Sequence, residues 1–127
     1  MPDEPIGIIY SLTEANNKYG SVISSIEISS SLLTSLFNQT DNYLMFKIMQ
    51  NNLYILGDSR VVLYPANGTV DSSEVFAVYS KSKVEELIET GRESVTKVEE
   101  RSEVFSLTNG NYTLEFSQWC PPFCGLD

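Results

Sequence analysis

Apolar and polar positions along the 127-residue chain alternate between two periods. Ile6 to Leu12 is apolar and partly β-branched, which predicts a strand. Thr13 to Gly20 is polar and ends in glycine, which predicts a loop. Val22 to Ile28 alternates weakly as a strand does. Ser29-Ser30-Ser31 then offers helix caps ahead of Leu32, Leu33, Leu36 and Phe37, a spacing of helical period, and Asn38 to Asn42 closes that helix. Tyr43 to Met49 reads as a strand, Gln50-Asn51-Asn52 as a turn, and Leu53 to Leu56 as the next strand. Gly57-Asp58-Ser59 turns the chain into Val61 to Tyr64.

Pro65 to Ser73 is a polar connector, and beyond it the same order returns. Glu74 to Tyr79 alternates. Ser80 or Ser82 caps a helix carrying Val84, Leu87 and Ile88, with Gly91 as its terminator. Ser94 to Glu100 is a polar strand, and Val104 to Leu107 and Tyr112 to Phe116 flank the hairpin signal Asn109-Gly110. The capping serines Ser29 and Ser80 lie 51 positions apart. Leu53-Tyr54-Ile55-Leu56 falls on Val104-Phe105-Ser106-Leu107, and Gly57-Asp58-Ser59-Arg60 on Thr108-Asn109-Gly110-Asn111. The pattern predicts an α+β fold in one domain over residues 1–127. Two strand–helix–three-strand units span about 22–64 and 74–117, and a tail covers 118–127. Two such units side by side bury both helices against one sheet layer.

Composition narrows the chemistry. Hydrophobic residues make up 42% of the chain, enough for an ordinary core. The net charge of −9 disfavours a strongly basic DNA reader while leaving room for a local basic patch. The chain has no histidine, which removes the commonest general base and metal ligand and every histidine-dependent triad. No apolar run is long enough to span a membrane, and Met1 to Pro5 lacks the order of a signal peptide, so the expected compartment is the cytoplasm, or a host cytoplasm for a viral source. Sequons at Asn38, Asn67 and Asn111 are what chance gives in a chain rich in Asn, Ser and Thr.

Several stretches resemble DNA sliding clamps, whose domains hold two strand–helix–three-strand units. Ser29 to Phe37 is similar to the first clamp helix, and Asn51 to Tyr64 to the hairpin after it. Val78-Tyr79-Ser80 opening Val84 to Glu89 is similar to the second strand–helix junction. Glu103 to Phe116 followed by Pro121-Pro122 is similar to the closing hairpin and its exit. The resemblance covers roughly Val22 to Pro121. It implies a non-enzymatic processivity factor that needs no cofactor and encircles duplex DNA as a ring of six such domains, here a homo-oligomer of six copies or a ring completed by a partner that supplies further domains. Such a ring tethers a DNA polymerase or other replication proteins through a short apolar peptide. Lys81, Lys83 and Arg92 are the DNA-facing candidates. Tyr64, Pro65, Val75, Phe76 and Trp119, around the connector, are candidates for the peptide groove, with core packing at the same seam as the other reading. The family pattern of basic helices is broken: the first helix has no basic residue, and the second adds Glu85, Glu86 and Glu89.

Cys120 and Cys124 flank Pro121-Pro122-Phe123; free thiols or a local disulfide are both open, and two thiolates alone make a poor metal site. Glu85, Glu86, Glu89, Glu99, Glu100 and Glu103 read as a solvated acidic face. Asp58 and Asp71 sit in turns, where Asp bonds locally. Lys47, Arg60, Lys97 and Arg101 read as solubilising residues or phosphate contacts. The rival function is a small acidic interaction module (an inhibitor, immunity protein or adaptor) acting on a basic partner without DNA.

Overall fold

A computed structural model describes residues 6–20, 22–65, 68–71, 73–101, 104–115 and 117–120, the last three for their backbone. The elements in chain order are β1 (Ile8–Ser11), α1 (Leu12–Tyr19), β2 (Val22–Ser29), α2 (Ser30–Leu36), β3 (Tyr43–Met49), β4 (Asn52–Leu56), β5 (Val62–Tyr64), β6 (Phe76–Ser80), α3 (Lys81–Gly91), β7 (Val95–Arg101), β8 (Phe105–Asn109), β9 (Tyr112–Glu115) and β10 (Gln118–Cys120). The fold is α+β, with helices and antiparallel sheets.

The strands form two five-stranded sheets rather than one layer. The first runs β10-β6-β3-β4-β5 and the second β1-β9-β8-β7-β2. Each three-strand meander is completed by the strand that opens the other half: β2 pairs with β7, and β6 pairs with β3. The registers correspond. Ser29 faces Val95, Glu27 faces Lys97 and Ile26 faces Val98; Ser80 faces Tyr43, Val78 faces Met45 and Ala77 faces Phe46. At both crossings the first helical N–H reaches over. Ser30 donates to the Ser94 carbonyl at 2.8 Å, and Lys81 to the Asn42 carbonyl at 2.9 Å. These bonds satisfy two of the donors a helix start leaves open.

One core lies between the sheets. Leu44, Phe46, Ile55, Ala77 and Tyr79 from the first sheet meet Ile28, Val98, Leu107 and Leu114 from the second, and α2 adds Leu33 and Leu36 while α3 adds Val84 and Leu87. In β2 the core residues Ile26 and Ile28 alternate with Ser25, Glu27 and Ser29, as strand geometry requires. Strand β6 is buried at all five positions, with Ala77 and Tyr79 inward and Phe76 and Val78 in a second apolar cluster on the outer face. That two-sided burial is why it reads as a continuous apolar run. The Tyr79 hydroxyl sits across the core from the carbonyls of Phe105 and Leu114, at 2.5 and 3.0 Å, so the buried phenol is satisfied.

Several expectations change. Of residues 13–20, expected as loop, Thr13 to Tyr19 belong to α1 and Gly20 ends it. Ser11 caps it through a capping box, its hydroxyl accepting from the Glu14 N–H while Glu14 reaches back to the Ser11 N–H. The hairpin pairs Asn109 with Tyr112, so the two-residue turn is Gly110-Asn111, with Gly110 at φ +61°. Helix α3 includes Gly91, and Arg92 takes the left-handed cap position. Gly91 is required by close approach, since a Cβ there would lie 2.2 Å from the Asn109 carbonyl oxygen. Strand pairing matches Leu53 with Phe105 and Leu56 with Thr108, one residue away from the sequence alignment, because the segment from helix start to strand start is one residue longer in the second half. A one-residue slip exchanges the faces of a strand, so this shift decides which side chains correspond.

Candidate functional site

The DNA-facing candidates do not form an open basic face. Lys81 begins α3 and its Nζ donates to the Thr40 carbonyl at 3.1 Å, tying α3 to the segment before β3. Lys83 pairs with Glu86 one turn along, at 3.2 Å. Arg92 is exposed at the C-terminal end of α3. The exposed side of α3 also carries Glu85, Glu86 and Glu89, while α2 exposes Ser31, Leu32, Thr34 and Ser35, all uncharged.

The groove candidates divide between two faces of the first sheet. Tyr64 ends β5, faces Ile55 and packs against the inter-sheet core. Phe76 lies on the opposite face, fully buried in the outer cluster with Met45, Leu56 and Val78 beneath Ile6 and Val70. The Tyr64–Pro65 peptide bond is cis, and Val75 is exposed. Arg60 covers Phe76, with its guanidinium 5.3 Å from the ring centre, and donates to the carbonyls of Asp71 and Glu74. Lys47 pairs with Glu74 at 2.8 Å beside the same ring. Both cations fix the connector to the sheet. Trp119 and Cys120 lie in β10, opposite Ala77 and Phe76. Their side chains, together with Asn67, Glu103, Phe116, Pro121, Pro122 and Cys124, fall outside the described residues.

Asp58 acts as a clip. Its carboxylate accepts from the backbone N–H groups of Asp41, Asn42 and Tyr43 at 2.9–3.1 Å, fastening the segment between α2 and β3 to the β4–β5 turn. In the second half the buried Asn109 makes a similar junction, accepting from the Glu93 N–H at 2.8 Å and donating to Ser30 Oγ and Thr96 Oγ1. Asp71 accepts from the Ser73 N–H and hydroxyl, which hold its carboxyl below the usual range.

Arg101 and Glu99 overturn their reading as solvated residues. On the outer face of the second sheet, Arg101 is 4% exposed, Glu99 5% and Glu115 0%. The guanidinium lies 3.4 Å from Glu115 and 3.6 Å from Glu99. Ser106 accepts from Arg101 Nε and donates to Glu115 at 2.7 Å, and Thr108 donates to Glu99 at 2.6 Å. Helix α1 lies over this cluster: Arg101 Nη1 donates to Asn16 Oδ1 at 2.8 Å and to the Gly20 carbonyl. Glu99, Arg101, Ser106, Thr108 and Glu115 come from the neighbouring strands β7, β8 and β9, whereas Asn16 and Gly20 are 85 and 81 positions from Arg101 along the chain. The exposed remainder of the same face holds a polar depression of about 280 Å³ lined by Glu27, Glu93, Lys97 and Thr108 among others.

Among the described residues, no group of three or more Cys, Asp or Glu is placed to hold a metal ion. Among them, too, no helix is long and apolar enough to cross a membrane. Comparison of the chain with family models, characterised proteins and solved structures finds no match.

Proposed function

We propose that the chain is a clamp-like, non-enzymatic scaffold domain that assembles with further copies into a ring around duplex DNA and tethers partner enzymes. The observation that carries this reading is the exchange of opening strands between two strand–helix–three-strand halves in matching register. The reading takes the halves as copies of one module, and the unpaired edges of β2 and β5 as the places where neighbouring domains join. The compartment is the cytoplasm, or a host cytoplasm. Light scattering across a concentration series tests the ring, and retention on closed circular against linearised DNA tests encirclement. A ring-sized mass with retention lost on linearisation is the expected result. A concentration-independent monomer overturns it.

The exposed glutamates of α3 favour a second reading, a small acidic module that binds a basic partner. That reading predicts a monomer or dimer with salt-sensitive protein binding and no affinity for DNA. Its test is co-purification at low and high salt; tight association with DNA and no basic partner would sink it.

A further inference from the structure

The segment Ile8–Gly20 covers a charged face and packs Ile9 against the core between the sheets. In α1 the fully buried residue is Ala15. Other contacts hold the segment as well. Strand β1 pairs along β9, the Leu12 N–H donates to the Asn111 carbonyl at 2.8 Å, and Arg101 grips Asn16 and Gly20. Tyr19 from α1 stacks edge-on against Tyr10 of β1 with ring centres 5.9 Å apart, and Lys18 lies over the Tyr10 ring at 5.7 Å.

The surface beneath is unbalanced. One guanidinium serves two buried carboxylates, at distances longer than good charge-assisted hydrogen bonds. Among the described residues, Arg101 Nη2 and Glu115 Oε1 are buried with no hydrogen-bond partner. Buried ionic groups left partly unsatisfied cost more than their mutual attraction returns, and water entry relieves that cost. Water reaches them when the covering segment lifts.

We propose that Ile8–Gly20 is a strap whose grip on the second sheet depends on the charge of the buried Arg101–Glu99–Glu115 cluster, tight when the cluster is neutral and loose when it carries a net negative charge. Burial pushes the Glu115 carboxyl up to about 7, with the Glu99 charge acting in the same direction and the Ser106 hydroxyl and Arg101 opposing. Against Glu115 lie Arg101 on β7 and Ser106 on β8, with Glu99 on β7 across the guanidinium; Tyr19 on α1, hydrogen-bonded to Tyr10 on β1, and the core residue Tyr79 on β6 are within electrostatic reach of it. Tyr19 and Tyr79 are both held above the ordinary tyrosine range, by burial first, and stay neutral through this window. Glu115 is then the group that sets the cluster's charge near neutrality. Protonated, it leaves one guanidinium with one carboxylate.

The sign follows from linkage. A carboxyl whose value is higher with the strap closed takes up a proton on closing, so closure is favoured in acid and weakens as pH rises from about 4.5 to about 7. The test is hydrogen-exchange protection, corrected for intrinsic rates, of α1 and β1 between pH 5.5 and 8.5. Protection is expected to fall roughly thirtyfold for a carboxyl that regains its ordinary value on opening, while α3 changes little. The Glu115→Gln variant is expected to stay protected at both ends of the range. Carboxyl-carbon NMR of the unsubstituted protein reads the Glu115 titration directly, whatever the variant's stability. Protection independent of pH, an unchanged pH dependence in Glu115→Gln, or a Glu115 midpoint near 4.5 would each overturn the proposal.

Discussion

Met45, Leu56 and Val78 on the outer face of the first sheet hold the positions that Lys97, Thr108 and Glu27 hold on the second. In each sheet the central residue faces its two partners across neighbouring strands, Met45 between Val78 and Leu56, Lys97 between Glu27 and Thr108. Backbone and register match while the side chains differ in kind. The apolar outer face is sealed by Ile6, the connector residue Val70 and the Arg60 stack on Phe76. The polar outer face is covered by α1 over Arg101 and Glu115, and is open around Lys97. The inner faces set the pairing, because both contribute to one core. The outer faces share no core, and each carries the cover its chemistry demands.

Exchanging one residue between these faces is the most direct way to break the comparison. Leu56→Thr, which copies Thr108 into its counterpart, should cost about 3–5 kcal/mol in denaturant unfolding, through lost apolar burial and a hydroxyl without a built partner. A cost below about 1 kcal/mol would mean that the outer cluster is not a second core. The next effect is pH dependence. With Glu115 at about 7 in the folded protein against 4.5 for a free carboxyl, the unsubstituted protein should lose about 2–3 kcal/mol between pH 5 and 8. Glu115→Gln should flatten that slope, and Leu56→Thr should leave it in place. Asp58→Ala removes the acceptor for three backbone N–H groups and should cost about 2 kcal/mol by thermal or urea unfolding. The smallest effect belongs to Lys83→Ala. It breaks an exposed pair with Glu86 and should shift stability by less than about 0.5 kcal/mol. A larger loss would show that the outer side of α3 carries structural weight.

Much of the architecture was legible in the chain. Tyr43 to Met49 reads as a strand and is β3, Ser29 caps α2, and Ser80 precedes α3. Helix α1 was obscured because Leu12, Ala15 and Tyr19 are its only apolar positions in a polar segment. Its one local signal is Ser11 with Glu14 three residues on, and a period-based reading weighs apolar spacing above capping. The candidate site residues were harder. Lys81 and Lys83 are ordinary surface cations by sequence, and only the folded chain spends one on the Thr40 carbonyl and the other on Glu86. Tyr64 and Phe76 flank the same connector but end on opposite faces: Tyr64 stands opposite the core residue Ile55, while Phe76 precedes the inward Ala77 on β6 and so points outward.

By itself the sequence determined the local elements, because helix and strand periods, serine caps and glycine or asparagine turns act over a few residues. It also determined the overall acidity and the absence of histidine chemistry. Tertiary structure alone decided that the two halves exchange their opening strands, and that Arg101, Glu99 and Glu115 are buried together. A glutamate on an alternating strand looks the same whether solvent or another helix lies over it. Which of the two covers it depends on pairing between residues distant along the chain, such as Asn16 and Arg101, 85 positions apart, and no local pattern records that.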